Sequence, residues 1–285
     1  AGMLPRVVHP PRIDLLETGL MDLDLKGASA VVVGGTRGLG RAIAEGFLQE
    51  GARIALIDRA EETPEVAKAL GPDVRGILAD VTDAESMKNA ASEVRDSFGS
   101  CDHLVFAAGI GSGQFGFPFW EVDVSLWERV LKVNLIGAAH VAHAFAPEMA
   151  RARKGTILFV ASVAGQIGSQ TDPPYSASKA GLINFSQCVA KDLAKFGVRV
   201  NALCPGMIKT ALNRSVYDAW AARVPEADRP GYEVWAEEKI RTLVPLGCWQ
   251  TAEDIAAMAV FLASHRAGNV TGQTINVDGG YVMHW

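Results

Sequence analysis

The stretch from Ala30 to Ala44 restricts this chain's fold more than any other. An apolar run, Ala30–Val33, leads into glycines at 34, 35, 38 and 40, and a helix-forming run begins at Arg41. The pattern is a strand, a tight turn and a helix start. Gly34 permits the turn, Gly38 lets the backbone approach a pyrophosphate, and Gly40 allows close packing of helix on strand, while the helix N-terminus offers free N–H groups and positive dipole. Alone, such a turn need hold no ligand. Its context adds weight: Asp58 ends the next strand about 20 residues on, where an acid can accept from a ribose 2′-hydroxyl. Thr36, Arg37 and Leu39 lie in the same loop, and Arg59 follows Asp58.

The rhythm continues along the chain. Ser29–Val33, Arg53–Ile57, Val74–Leu78, His103–Ala107, Thr156–Val160, Arg199–Leu203 and Thr274–Val277 read as short strands. Most are continuous apolar runs, as parallel strands covered on both faces require. Helical patterns over Arg41–Glu50, Ala84–Phe98, Leu126–Ala152, Tyr175–Lys195 and Ala252–Ala263 separate them. This alternation predicts an α/β doubly wound parallel sheet of about seven strands with helices on both faces. With no linker visible, residues 23–285 read as one domain behind an extension, 1–22. The long segment 211–246, with Trp220, Trp235, Pro225 and Pro230, reads as a lid.

Composition excludes several functions. A formal net charge of −5 gives no basic footprint for nucleic acid. No apolar run reaches membrane-spanning length, and Ala1–Asp14, with Pro5, Pro10 and Pro11, lacks the apolar stretch of a secretory signal. Cys101, Cys188, Cys204 and Cys248 are scattered, so a reduced cytoplasmic setting is expected. No metal site is expected, because His140 and His143 on their helical stretch have no third ligand in view.

Tyr175 and Lys179 stand four apart in a helical pattern and share a face. An ammonium beside a phenol favours the phenolate and lowers its pKa, making Tyr175 a workable proton donor and acceptor. Ser162 follows the strand Thr156–Val160, at the end where doubly wound folds place ligands. Taken alone, a Tyr–Lys pair is more often a surface feature. Asp80-Val81 closes the third strand; Asp80 suits either an adenine amino group or the capping region of the next helix. Between 111 and 120, glycines alternate with aromatics, suiting either a pocket wall or packing beneath the loop. Gln166 and Asp172 are candidates to reach substrate hydroxyls.

Together, the glycine turn, Asp58, Ser162, Tyr175 and Lys179 resemble the short-chain dehydrogenase/reductase family, from about Leu23 to Tyr281. Lys132-Val133-Asn134, Arg199-Val200-Asn201, Pro205 to Thr210 and Asn276 to Gly280 match as well. The resemblance implies a Rossmann-like fold and hydride exchange between a nicotinamide dinucleotide and a secondary alcohol or ketone. It implies that Tyr175 is the general acid/base, that Lys179 lowers its pKa and binds the nicotinamide ribose, that Ser162 positions the carbonyl, and that Asn134 supports a proton relay through water. Ala108 and Gly109 would lie against the adenosine ribose. Pro205, Gly206, Ile208 and Thr210 would lie by the nicotinamide. The family's enoyl reductases space Tyr and Lys more widely, which favours carbonyl chemistry here. Where the family usually has Asn-Asn-Ala-Gly, this chain has Phe106-Ala107-Ala108-Gly109, and Phe106 is expected to fill the space by packing. Asp58 opposes the phosphate of NADP while Arg37 and Arg59 favour it, so NAD is expected over NADP. A homotetramer is the expected assembly, with a small-molecule substrate as partner. The alternatives are a 3-oxoacyl-carrier-protein reductase and a non-catalytic dinucleotide sensor.

Overall fold

The computed structural model describes residues 22–115, 118–169 and 171–283. The extension before Asp22, the loop residues Gly116 and Phe117, and the last two residues lie outside the described residues, as do the expectations placed on them. Seven strands form one parallel sheet: β1 Ser29–Val33, β2 Arg53–Asp58, β3 Val74–Leu78, β4 His103–Phe106, β5 Thr156–Val160, β6 Arg199–Pro205 and β7 Thr274–Val277, in the order β3-β2-β1-β4-β5-β6-β7. The register pairs Val33 with both Ile57 and Phe106. The carboxyl ends of β1, β2 and β4 are therefore flush at the point where strand order reverses, which is where doubly wound sheets bind ligands.

The continuous apolar strands have their reason in two cores, one on each face. Val31 and Val33 of β1 pack with Met87, Val141, Phe145 and Leu182. Val32, between them, packs on the opposite face with Ile43, Phe47, Ile255 and Val260. The covering helices are α1 Gly38–Gln49, α3 Ala84–Phe98, α5 Gly137–Ala152, α6 Pro173–Leu193 and α9 Ala252–Ala263, with the short α2 Thr63–Leu70 beside β3. Phe106 is fully buried, its ring 6.3 Å from that of Phe159, so the departure at this position is filled by packing as expected.

The structure adds α2, which the sequence reading did not contain, and differs from that reading in three further places. The stretch read as one helix, Leu126–Ala152, is α4 Val124–Leu131, a π-helical turn Lys132–Ile136, and then α5. Helix α6 begins before Tyr175, because Asp172 caps it and Pro173 and Pro174 occupy its first positions, where a missing N–H costs nothing. The segment 211–246 is largely helical: α7 Ala211–Ala221 and α8 Tyr232–Leu243 meet around an aromatic cluster of Tyr217, Trp220, Tyr232 and Trp235. No helix of the described residues is long and apolar enough to cross a membrane.

Candidate active site

The glycine turn has the geometry its sequence implies. Gly34 has φ +83°, and a Cβ there would lie 2.5 Å from the Ala108 amide nitrogen. A Cβ on Gly40 would lie 2.0 Å from the Gly34 carbonyl oxygen, so only glycine lets α1 pack this closely on β1. A Cβ on Gly38 would meet nothing within 4 Å. No side chain caps α1, and no acid occupies its first turn, so its leading N–H groups and dipole stay available to an anion.

These groups border a cavity of about 1150 Å³ over the β1/β4 reversal. Of the sequence candidates, Gly34, Arg37, Gly38, Leu39, Gly40, Asp58, Arg59, Asp80, Val81, Ala108, Gly109, Tyr175, Lys179, Ile208 and Thr210 line it. Uncapped helix end, glycine-bared backbone and strand-end acid together suit a dinucleotide. Thr36 does not line the cavity. It is buried, and its hydroxyl donates to Asp58 Oδ2 at 2.6 Å, with its N–H on the same oxygen at 3.3 Å. Its role is to hold the acid. Pro205 and Gly206 border the neighbouring cavity instead, because Gly206 is pressed against Asp278 and Gln250. Asp80 accepts from Thr82 N at 2.8 Å, while Asp83 is the cap of α3.

The smaller neighbouring cavity, about 240 Å³, is lined by Phe115, Ser162, Asp172, Tyr175, Met207, Val216, Trp235 and Lys239, among others. Tyr175 therefore borders both cavities, with Ser162 on the small side and Lys179 on the large. The Ser162 hydroxyl accepts from Ala164 N at 3.1 Å and its side chain hydrogen-bonds Tyr175. Thr210 Oγ1 also caps α7, accepting from Asn213 N at 3.3 Å.

The phenol's electrostatics differ from the sequence expectation. Lys179 Nζ donates to the Val160 carbonyl at 2.8 Å and stands 5.5 Å from the Tyr175 ring centroid rather than at its oxygen. Burial pushes Tyr175 up to about 12; the bond from Ser162 offsets part of this and the Asp172 charge adds to it. Burial likewise pushes Lys179 down to about 8. Burial thus works against the charged form of both groups.

Asn134 sits within the π turn, fully buried. Its Oδ1 accepts from Ile110 N at 2.8 Å, and its Nδ2 donates to the Ile110 carbonyl and to Ser178 Oγ, both at 2.9 Å. It ties the loop after β4 to α6 and so braces the walls of the site. Gln166 exchanges amide bonds with Asn276 at 2.6 and 3.0 Å, so it braces the chain after Ser162 from β7. Asp172 accepts from Ser112 N at 2.8 Å and Tyr175 N at 3.2 Å. His140 Nδ1 donates to the Val81 carbonyl at 2.9 Å, a structural tie. Sequence reading missed Trp249, Gln250 and Thr251 on the large cavity, since Thr251 signals only the capping box of α9. It also missed Asn213 and Lys239 on the small one.

A family model described as Enoyl-(Acyl carrier protein) reductase matches residues 33–282. The 3-oxoacyl-(acyl-carrier-protein) reductase of Staphylococcus aureus is 35% identical over 260 residues, covering 90% of this chain and 98% of its own length. That of Escherichia coli is 32% identical over 262 residues, covering 92% of this chain and 100% of its own. Among solved structures, L-sorbose reductase from Gluconobacter frateurii, complexed with NADPH and L-sorbose, matches with a TM-score of 0.84 at 30% identity, over 93% of this chain and 100% of that one.

Proposed function

This chain belongs to the short-chain dehydrogenase/reductase family, an oxidoreductase by that membership, and we propose that it interconverts a ketone and a secondary alcohol with Tyr175 as the proton-exchanging group. The observation that carries this reading is the position of Tyr175 in the wall between two cavities, one shaped for a dinucleotide and one for a small substrate. A bound nicotinamide supplies or takes the hydride. In the reducing direction Tyr175 Oη gives its proton to the carbonyl oxygen, and Ser162 Oγ holds that oxygen in place. The Lys179 ammonium stabilises the phenolate left behind by charge across a partly dry site. A coenzyme ribose entering the large cavity would compete with the Val160 carbonyl for the ammonium. Helices α7 and α8 form the lid.

Tyr175→Phe tests the assignment. General acid–base catalysis is worth about 10²- to 10⁴-fold, so turnover should fall by that factor while dinucleotide binding persists. Near wild-type kcat would remove Tyr175 from the mechanism, and no turnover by the wild type with any ketone would favour a dinucleotide sensor.

For the coenzyme we infer NAD. Thr36 fixes Asp58 at the cavity wall, where a 2′-phosphate would meet a like charge. Arg37 and Arg59 are exposed on the same rim without partners among the described residues, and they favour the phosphate instead. The L-sorbose reductase was captured with NADPH, which sharpens the question for this chain. Comparing kcat/KM for both coenzymes in wild type and Asp58→Ala answers it. Wild type should favour NAD and the variant should move toward NADP; wild-type preference for NADP would mean that the arginines dominate.

A second reading, reduction of a 3-oxoacyl thioester, draws on the names of the relatives above. The lid gives it little: Arg214 pairs with Asp218 and Arg241 with Glu238, leaving few cations for an acidic carrier protein. Turnover of a 3-oxoacyl thioester well above that of simple ketones would establish it. The homotetramer remains a proposal, consistent with exposed Trp120, Leu246 and Met283, and sedimentation equilibrium tests it.

A further inference from the structure

Most lid cations have an anionic or carbonyl partner. Lys209 pairs with Glu233, Arg214 with Asp218 and Arg241 with Glu238, and Arg229 donates to the Val224 carbonyl at 2.9 Å. Lys239 is different. It lies half-buried on α8 and faces the small cavity, whose wall it shares with Ser162, Asp172, Tyr175 and Trp235. Its Nζ stands 4.2 Å from the centroid of the Trp235 ring. Among the described residues it has no ion pair and no hydrogen bond. Burial lowers its pKa, and no neighbouring carboxylate opposes that shift. The face of an indole attracts a cation but accepts no hydrogen bond in its plane, so among the described residues no acceptor engages the three donors of the ammonium.

Among the described residues, the other charged side chain lining this cavity is Asp172. Asp172 is buried beside Tyr175, and backbone N–H groups of Ser112 and Tyr175 hold its carboxylate. The cavity thus carries a negative charge beside Tyr175 and a positive one on α8. Phe115, Met207 and Val216 provide apolar wall. A substrate with its charge near Tyr175 would be repelled by Asp172. One with its charge at the roof would find an unpartnered ammonium.

Taking the carbonyl–alcohol reading as its basis, we propose that the substrate is a keto acid or the matching hydroxy acid, its carboxylate bound by Lys239 and its reacting carbon separated from that carboxylate by an apolar spacer. A single cation matches a monoanion; a phosphate dianion would call for more donors than the roof presents.

The test uses para-acetylbenzoate and para-acetylbenzamide, two ketones of nearly equal shape that differ in charge. Their binding is measured by calorimetry on the whole enzyme with oxidised coenzyme present, so that no turnover occurs. A charge-assisted bond predicts about tenfold or greater preference for the carboxylate. Lys239→Met should bring the ratio close to one, and Lys239→Arg, which keeps the charge, should restore most of it. A ratio near one in the wild type, or an unchanged ratio in Lys239→Met, overturns the proposal. Reduction of the same ketones by NADH and NADPH is followed separately. Preferential binding without any reduction would sink the carbonyl reading and leave the carboxylate recognition standing, so the two failures are distinguishable.

Discussion

The two cavities on either side of Tyr175 are built differently. The walls of the larger one are strand ends and backbone. Gly34, Ala108 and Gly109 belong to turns leaving the central strands, and those strands are locked into both cores of the sheet. The roof of the smaller one is α7 and α8, which pack on each other through Tyr217, Trp220, Tyr232 and Trp235, a cluster separate from either core. Shape in the first is set by the whole fold. In the second it depends on a local cluster packed apart from both cores of the sheet. A site that must grip one coenzyme gains from the first arrangement, and a site that must admit and release substrate gains from the second.

Three variants probe this contrast, in order of expected effect. Gly40→Ala should be the most damaging, since its Cβ would fall 2.0 Å from the Gly34 carbonyl. Forcing α1 off β1 should cost about 3 kcal/mol, the upper range for overpacking, lower Tm and abolish dinucleotide binding together. A fully stable Gly40→Ala that still binds coenzyme would show the turn to be pliable.

Trp235→Ala removes the centre of the lid cluster. Because that cluster is separate from both cores of the sheet, the loss should stay in the lid. KM for the ketone should rise about tenfold or more, by the reach of such pocket contacts, with a smaller fall in Tm than for Gly40→Ala. Amide exchange in 211–246 should be fast in the free enzyme, slow with coenzyme and substrate together, and fast in both states in the variant. A global loss of Tm equal to that of Gly40→Ala would show that the lid is part of the main core.

The smallest effect concerns Lys179 and pH. Its folded pKa, about 8, lies below the ordinary value of 10.5. The unfolded chain therefore binds more protons between these two values, and stability rises with pH across that window. Below pH about 8 the full cost of burying the charge applies. Lys179→Met should thus raise Tm modestly at pH 7 relative to wild type, with the gap closing toward pH 10. A gap that widens with pH would mean that the ammonium is held favourably by Val160.

What could be read from the sequence is what is local along the chain. Apolar runs marked the strands because parallel strands are covered on both faces. The glycine turn was legible because its spacing is local, with Gly40 packing on Gly34 six residues before it, although the close approach that requires Gly34 comes from Ala108 in the turn after β4. Tyr175 and Lys179 were visible as a pair because a helix brings positions four apart to one face. The helices of the lid were not read, because Pro225 and Pro230 interrupt the region and the aromatic residues that hold α7 to α8 are partners across a bend.

Helix periodicity, turn chemistry and strand burial were therefore determined by the sequence itself, and with them the sheet and the positions of its glycine and Tyr–Lys motifs. Only the tertiary structure decided what each side chain does there. Thr36 turned out to hold Asp58, 22 residues away, and Gln166 was engaged by Asn276, 110 residues away. Lys179 bonded the Val160 carbonyl, and Lys239 was left over Trp235 at the roof of a cavity. The reason is physical: a hydrogen bond is won by whichever partner the packed chain brings within about 3 Å, and nothing in the local order of residues says which partner that will be.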